Sequence, residues 1–322
     1  MPTLNELLHA ASRTFALGID LLPPPLRDEI ELAYLLLRVS DYLEDNEAMP
    51  AAEKARLLEA WAAVLAGEAP LESLAPTLEA APGSTPDALV ARNVRAVHGA
   101  LAKMRPAAGA VVVRHVRDST LGMARWARRG PELADEADLD DYMHEVAGRV
   151  GWLLTELFAL DVPAVARRRV AMSDLGREFG LGLQTVNVVR GLHGDWRRGW
   201  VFIPRDFLPA GGDPTRLFTS EGRDRRAELA VLGRLVRKAE HHLEAARRYI
   251  AGIPRHERGI RLFCLLPYLF AVRTLALSRR NPRVFQEETK ITRRDVRRIT
   301  AWARLLGGSD RWVAWYGRRL AR

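Results

Sequence analysis

Helical periodicity is the feature that most constrains this chain. Apolar residues recur at steps of three and four through most of its length, while alternating Val/Ile/Thr runs between glycine turns are scarce. The pattern predicts helices over 3–20, 26–46, 51–67, 86–129, 138–159, 164–195, 221–251, 256–279 and 292–319. Breaks fall at Pro23-Pro24-Pro25, in the Pro/Gly/Ser-rich stretch 68–87, at Gly130-Pro131, between Pro209 and Pro214, and at Gly252-Ile253-Pro254. None has the length of an interdomain linker, so the expectation is an all-α fold in a single domain over 1–322.

With 48% hydrophobic and 28% charged residues, 322 residues can bury a large core, which excludes a disordered chain. The single cysteine, Cys264, cannot form an intrachain disulfide and sits in an apolar stretch that reads as core. The first residues lack a basic region followed by an apolar run, and no eighteen consecutive apolar residues occur; even 262–277 is interrupted by Arg273. A cytoplasmic protein without a spanning helix is therefore expected. A net charge of +9 draws anions to the surface, whether nucleic acid, anionic lipid or a diphosphate. The arginines lack interleaved aromatics and zinc spacing, so nucleic acid is not expected as a partner.

Within 26–46, Ile30, Tyr34, Leu37, Asp41 and Asp45 follow at steps of three or four, so two acidic residues extend a stripe that should face inward. Unpaired carboxylates are costly to bury, and oxygen ligands one turn apart suit Mg²⁺ bridging to a diphosphate. A solvated acidic helix end, Asp41-Tyr42-Leu43-Glu44-Asp45, fits the spacing equally well. A second set, Asn187, Gly191 and Asp195, repeats every four residues along 181–195; there the bland reading is an asparagine bonded to backbone and an exposed aspartate. Between the two sets, Asp138 is a candidate N-cap. Ala147, Gly148 and Gly151 would allow either two helices to approach closely or a long apolar ligand to fit. His241-His242 lacks zinc spacing and reads as exposed helix surface. Gly180-Leu181-Gly182 follows no strand and supports no dinucleotide fold.

Taken in order, these segments resemble the squalene/phytoene synthase family over roughly residues 5 to 300. Ser12-Arg13-Thr14-Phe15 looks like the family's Ser-Arg-Ser-Phe, and Arg38-Val39-Ser40-Asp41 through Asp45 resembles its first aspartate-rich motif. Tyr142 through Gly151 is similar to its Tyr-Cys-x-x-Val-Ala-Gly-x-Val-Gly block, and 183–190 resembles the run that introduces its second acidic motif. Phe263 to Pro267, Val284-Phe285 and Lys290-Ile291 look like squalene synthases more than phytoene synthases.

The resemblance implies a helical bundle around an apolar cavity and head-to-head joining of two farnesyl diphosphates. In that scheme Asp41, Asp45, Asn187 and Asp195 hold Mg²⁺, which as a Lewis acid promotes departure of diphosphate. Ser12, Arg13, Phe15, Tyr34, Arg38, Val146, Val150, Gln184 and Arg190 contact substrate, and Tyr142 lies nearest the allylic cation. Squalene synthases end the reaction with hydride from NADPH, which Lys290 and Arg293 would bind; phytoene and dehydrosqualene synthases need none. Handling an oily product adds an expected peripheral contact with membrane. One departure stands out. The family's second motif is usually Asp-x-x-Glu-Asp, whereas this chain has Gly191-Leu192-His193-Gly194-Asp195. That leaves a non-catalytic prenyl-diphosphate-binding relative as the alternative, or an Mg²⁺ shell completed by water beside Gly191, with His193 off the ligand face.

Overall fold

A computed structural model describes residues 2–219 and 224–322, apart from the side chain of Arg13; the start of the predicted 221–251 helix lies outside the described residues. Among the described residues there is no strand. The α-helices are α1 (Leu4–Ala11), α2 (Arg13–Ile19), α3 (Leu26–Asp45), α4 (Ala51–Leu65), α5 (Ala75–Glu79), α6 (Pro86–Arg92), α7 (Val94–Gly99) and α8 (Pro106–Arg129). They continue as α9 (Glu136–Met143), α10 (Arg149–Asp161), α11 (Pro163–Ala166), α12 (Arg169–Arg197), α13 (Arg225–Gly252), α14 (Arg258–Ser278), α15 (Arg293–Leu306) and α16 (Asp310–Leu320). The chain forms two compact units: residues 1–130 with 152–169, and residues 131–151 with 170–322.

In the first unit α3 is the central element, packed by α1, α4, α6 and α8. Asp28 and Glu29 in its first turn complement the positive end of the helix dipole. Glu29 is buried and is satisfied by Arg105 Nε and Nη2 at 2.6 and 2.8 Å, while Nη1 and the shared Nη2 reach Asp161 at 2.6 and 2.7 Å. The core-facing stripe is Leu32, Leu35, Leu36, Val39 and Leu43. This corrects the expected inward stripe: past Ile30, Tyr34, Leu37 and Asp41 are half-buried and Asp45 is exposed, because the packing helices cover the other faces of α3.

The second unit is built on α14, which packs against α13, α15 and α16. Buried Arg261 donates to the carbonyls of Ile250 (2.9 Å) and Ile253 (2.7 Å), satisfying the end of α13, and lies 2.6 Å from Asp310. Cys264 is buried here as expected, and burial pushes its thiol well above the usual range. Of the described helices, α14 alone has the length and apolarity to cross a membrane, and its apolar window is mostly buried.

Several predicted helices are cut shorter. The 3–20 segment bends at Ser12, whose hydroxyl caps α2, and 86–129 breaks where Asn93 donates back to the Leu89 carbonyl and again before Pro106. The 292–319 segment divides at Gly307-Gly308-Ser309, with Ser309 capping α16. The N-cap of α9 is Asp135, not Asp138: Asp135 accepts from the Asp138 amide at 3.0 Å, while Asp138 accepts from the Ala134 amide at 2.9 Å. After α9, a π-helical turn over His144–Gly148 leads into α10.

Candidate active site

In the first unit, the Ser12 hydroxyl accepts from the Phe15 amide at 3.1 Å, and the bend this fixes sets the Phe15 ring 5.8 Å from that of Tyr34. One turn along α3, the Arg38 guanidinium lies 5.3 Å from the Tyr34 ring centre. It sits 2.7 Å from Asp41 and donates to Asp87 at 2.9 Å. Asp87 comes from α6, where Pro86 takes the first turn and Thr85 caps by accepting from the Ala88 amide. Burial pushes the Asp41 carboxyl up to about 6; the Arg38 charge opposes the shift, and Asp45 and Asp87 add to it. Even so, 21% of the Asp41 side chain stays accessible. Burial also raises the Tyr34 hydroxyl, against the influence of Arg38. For Arg38 itself burial acts downward, but Asp41, Tyr34 and Asp87 outweigh it and its pKa is raised. One guanidinium therefore faces two carboxylates, Asp41 and Asp87, and the charge of Asp45 also reaches Asp41. Such a set accepts a diphosphate only together with additional positive charge, and its hard oxygen donors suit Mg²⁺.

In the second unit, Tyr142 is buried and stacks with Phe202 at 4.8 Å and Trp200 at 5.8 Å, which also stack on each other at 5.5 Å. Three ring faces gathered this way favour a cation beside them. The small residues nearby serve helix packing. A Cβ at Gly151 would stand 1.9 Å from the Gly176 carbonyl oxygen, and one at Gly180 would stand 2.2 Å from that of Ala147. Val146 and Val150 are half-buried.

Along α12, Asn187 is exposed and donates to the half-buried Gln184 at 3.3 Å. The Asp195 carboxylate pairs with Arg198, one turn on, and its Oδ2 lies 3.3 Å from where a Cβ on Gly191 would stand. The space considered for water beside Gly191 is thus bordered by the Asp195 carboxylate. His193 Nδ1 is 3.1 Å from the Phe285 carbonyl, which turns it to a structural role. Arg190 Nε is 3.4 Å from Glu288, and Lys290 is 2.6 Å from the same carboxylate, so Glu288 links two predicted binding residues. Arg293 is exposed at the start of α15. The exposed reading holds for His241 but not for His242, which is buried with Nδ1 2.6 Å from Glu178. Among the described residues no three His, Cys, Asp or Glu side chains converge as a metal cage.

The squalene/phytoene synthase family model matches residues 8–295. The chain belongs to that family. It is 28% identical to squalene synthase ERG9 of Gibberella zeae, over 92% of this chain and 63% of that one. It is 30% identical to the squalene synthase of Eremothecium gossypii, over 89% and 64%. The chain therefore spans a little under two thirds of the length of these curated relatives. The structure of TcSQS with the ligand BPH1237 superposes with a TM-score of 0.83 at 26% identity, covering 98% of this chain and 90% of that one. A ligand-bound dehydrosqualene synthase shares the fold, with a TM-score of 0.65 at 17% identity over 98% and 95% of the two chains. The fold is thus the all-α isoprenoid-synthase type.

As a family member the chain departs from the usual second acidic motif at positions where acidic side chains would fit: nothing lies within 4 Å of a Cβ at Gly194, and at Gly191 only the movable Asp195 carboxylate does. Sequence reasoning missed Asp87, Trp200, Phe202 and Glu288. The one local signal was the aromatic pair flanking Val201, directly after α12.

Proposed function

We propose that this prenyltransferase-family chain condenses two farnesyl diphosphates head to head through presqualene diphosphate to squalene. The observation that carries the reading is the Arg38 guanidinium held between Asp41 and Asp87 beside a carboxyl raised to about 6. Mg²⁺ would be held by Asp41 and Asp45, and by Asn187 and Asp195 as a thinner set, and when bound it supplies Lewis acidity toward the leaving diphosphate. Arg38 and Arg190 donate to phosphate oxygens, for which Arg190 must exchange Glu288 for substrate. Phe15 and Tyr34 offer ring faces to the prenyl chain. Tyr142, within its aromatic stack, lies nearest the allylic cation that the second double bond attacks, and acts through its ring face or as acceptor of the proton lost when the cyclopropane ring closes. Lys290 and Arg293 contribute charge for the phosphate of NADPH.

A second reading, a non-catalytic binder of prenyl diphosphate, is favoured by Gly191, Gly194 and the pairing of Asp195 with Arg198. Incubation with farnesyl diphosphate and Mg²⁺, followed by mass spectrometry, separates the readings. Squalene with NADPH and presqualene diphosphate without it support condensation to squalene. Dehydrosqualene in both supports the hydride-free ending, and bound but unchanged substrate supports the binder.

A further inference from the structure

Charge is distributed unevenly along this chain. Residues 293–322 hold nine arginines against two aspartates, with no lysine or glutamate, a net of +7 in a chain of +9. The family match ends at residue 295, so nearly all of that charge lies beyond it, on α15 and α16. Both aspartates are engaged elsewhere. Asp295 caps α15 and lies 3.5 Å from Arg273, with Arg298 only at 4.0 Å, and Asp310 lies 2.6 Å from buried Arg261.

Each helix buries one stripe and leaves another bare. On α15, Ile299 and Ala303 are buried, whereas Arg294, Arg298, Trp302, Leu305 and Leu306 follow at steps of one to four along an exposed flank, with Trp302 45% and Leu305 69% exposed. On α16, Val313, Tyr316 and Leu320 are buried. Trp315 is 52% exposed, with Arg311, Arg318 and Arg319 exposed around it and Arg319 5.8 Å from its ring. Solvated arginines alone would suit any polyanion. Exposed tryptophan and leucine among them add an energetic reason to leave water, which a phosphate backbone does not satisfy and the headgroup–acyl boundary does.

We infer that α15 and α16 form a membrane-docking surface whose partner is an anionic phospholipid bilayer, with Trp302, Leu305 and Trp315 entering the interface and the arginines contacting headgroups. Of the residues assigned to the proposed reaction, Arg293 at the start of α15 also belongs to this basic stretch; Trp302, Leu305, Trp315, Arg298 and Arg319 are assigned no part in it, so the inference does not rest on that reaction. Its test uses the full chain, sedimented with vesicles of phosphatidylglycerol and phosphatidylcholine or of phosphatidylcholine alone, at low salt.

Binding to the anionic vesicles only is expected, together with quenching of tryptophan fluorescence by brominated acyl chains. Trp302→Ser with Trp315→Ser should reduce partitioning about tenfold and remove that quenching, and Arg298→Ser with Arg319→Ser should reduce partitioning comparably. All four positions are exposed, so helical circular dichroism stays at the wild-type value. Failure to sediment with anionic vesicles overturns the inference. So does a tryptophan double variant that partitions and is quenched like the wild type. Binding that RNA displaces and that is indifferent to the two tryptophans would mark the surface as a nucleic-acid site instead.

Discussion

The two polar sets on α3 and α12 have the same spacing and different surroundings. Asp41 and Asp45 lie one turn apart, as do Asn187, Gly191 and Asp195 in succession. On α3 the surrounding helices desolvate Asp41, and α6 brings Asp87 to the shared Arg38. On α12 Asn187 is exposed, the middle position has no side chain, and Asp195, with 14% of its side chain accessible, pairs with Arg198 just past the helix end. Desolvation combined with like-charge crowding is what makes a carboxylate demand a cation, and Asp41 has both, through burial and through Asp45 and Asp87. In the proposed reaction α3 is therefore expected to hold metal more strongly than α12.

The largest expected effect breaks or keeps that asymmetry directly. Asp41→Ala should lower product formation by about 1000-fold, equivalent to about 4 kcal/mol, and Asp195→Ala by only about tenfold. Steady-state rates at saturating Mg²⁺ check both, and equal losses would erase the distinction between the helices.

Next in size is a stability effect with a definite sign. In the folded metal-free protein Asp41 keeps its proton up to about pH 6, against an ordinary value of 3.8, so the folded state binds more protons between those values. The stability this group contributes is present below pH 4 and is lost as pH rises through 6. Asp41→Asn should therefore make the protein more stable than wild type by about 3 kcal/mol at pH 8, a gain that vanishes at pH 4. Denaturant melts at both pH values measure it, and a variant less stable at pH 8 would show that pairing with Arg38, not desolvation, dominates.

Restoring acidic residues to α12 should narrow the difference. Gly191→Asp with Gly194→Glu has room at both positions and is expected to lower the Mg²⁺ concentration for half-maximal activity about tenfold. An unchanged Mg²⁺ titration would mean that the second set takes no part in metal loading. The smallest effect should come from Asp87→Asn, which leaves Arg38 with Asp41 alone and should raise KM about threefold while kcat holds.

These particulars show how far the sequence could be read. The limits of α3 were legible because Pro25 precedes it and Asp45 closes it, and the order of its motifs indicated the family. Asp87 was not legible, because its meaning depends on Arg38, 49 residues earlier. His242 looked exposed for the same reason: Glu178, its partner, is 64 residues away on another helix. Gly148 and Gly151 were ambiguous in the sequence and become packing contacts only once α12 is set against the π turn and Gly151, where Gly180 meets Ala147. Short helices between 71 and 99 were hidden because caps such as Thr85 and stops such as Asn93 override the apolar period locally.

The most direct test of catalysis centred on α3 is the amount of diphosphate released from farnesyl diphosphate by the wild-type chain in Mg²⁺. Condensation to presqualene diphosphate predicts about one diphosphate for every two substrates without NADPH and about two with it, and Asp41→Ala should release none above background. Substrate that binds and releases no diphosphate, with or without NADPH, would contradict the account.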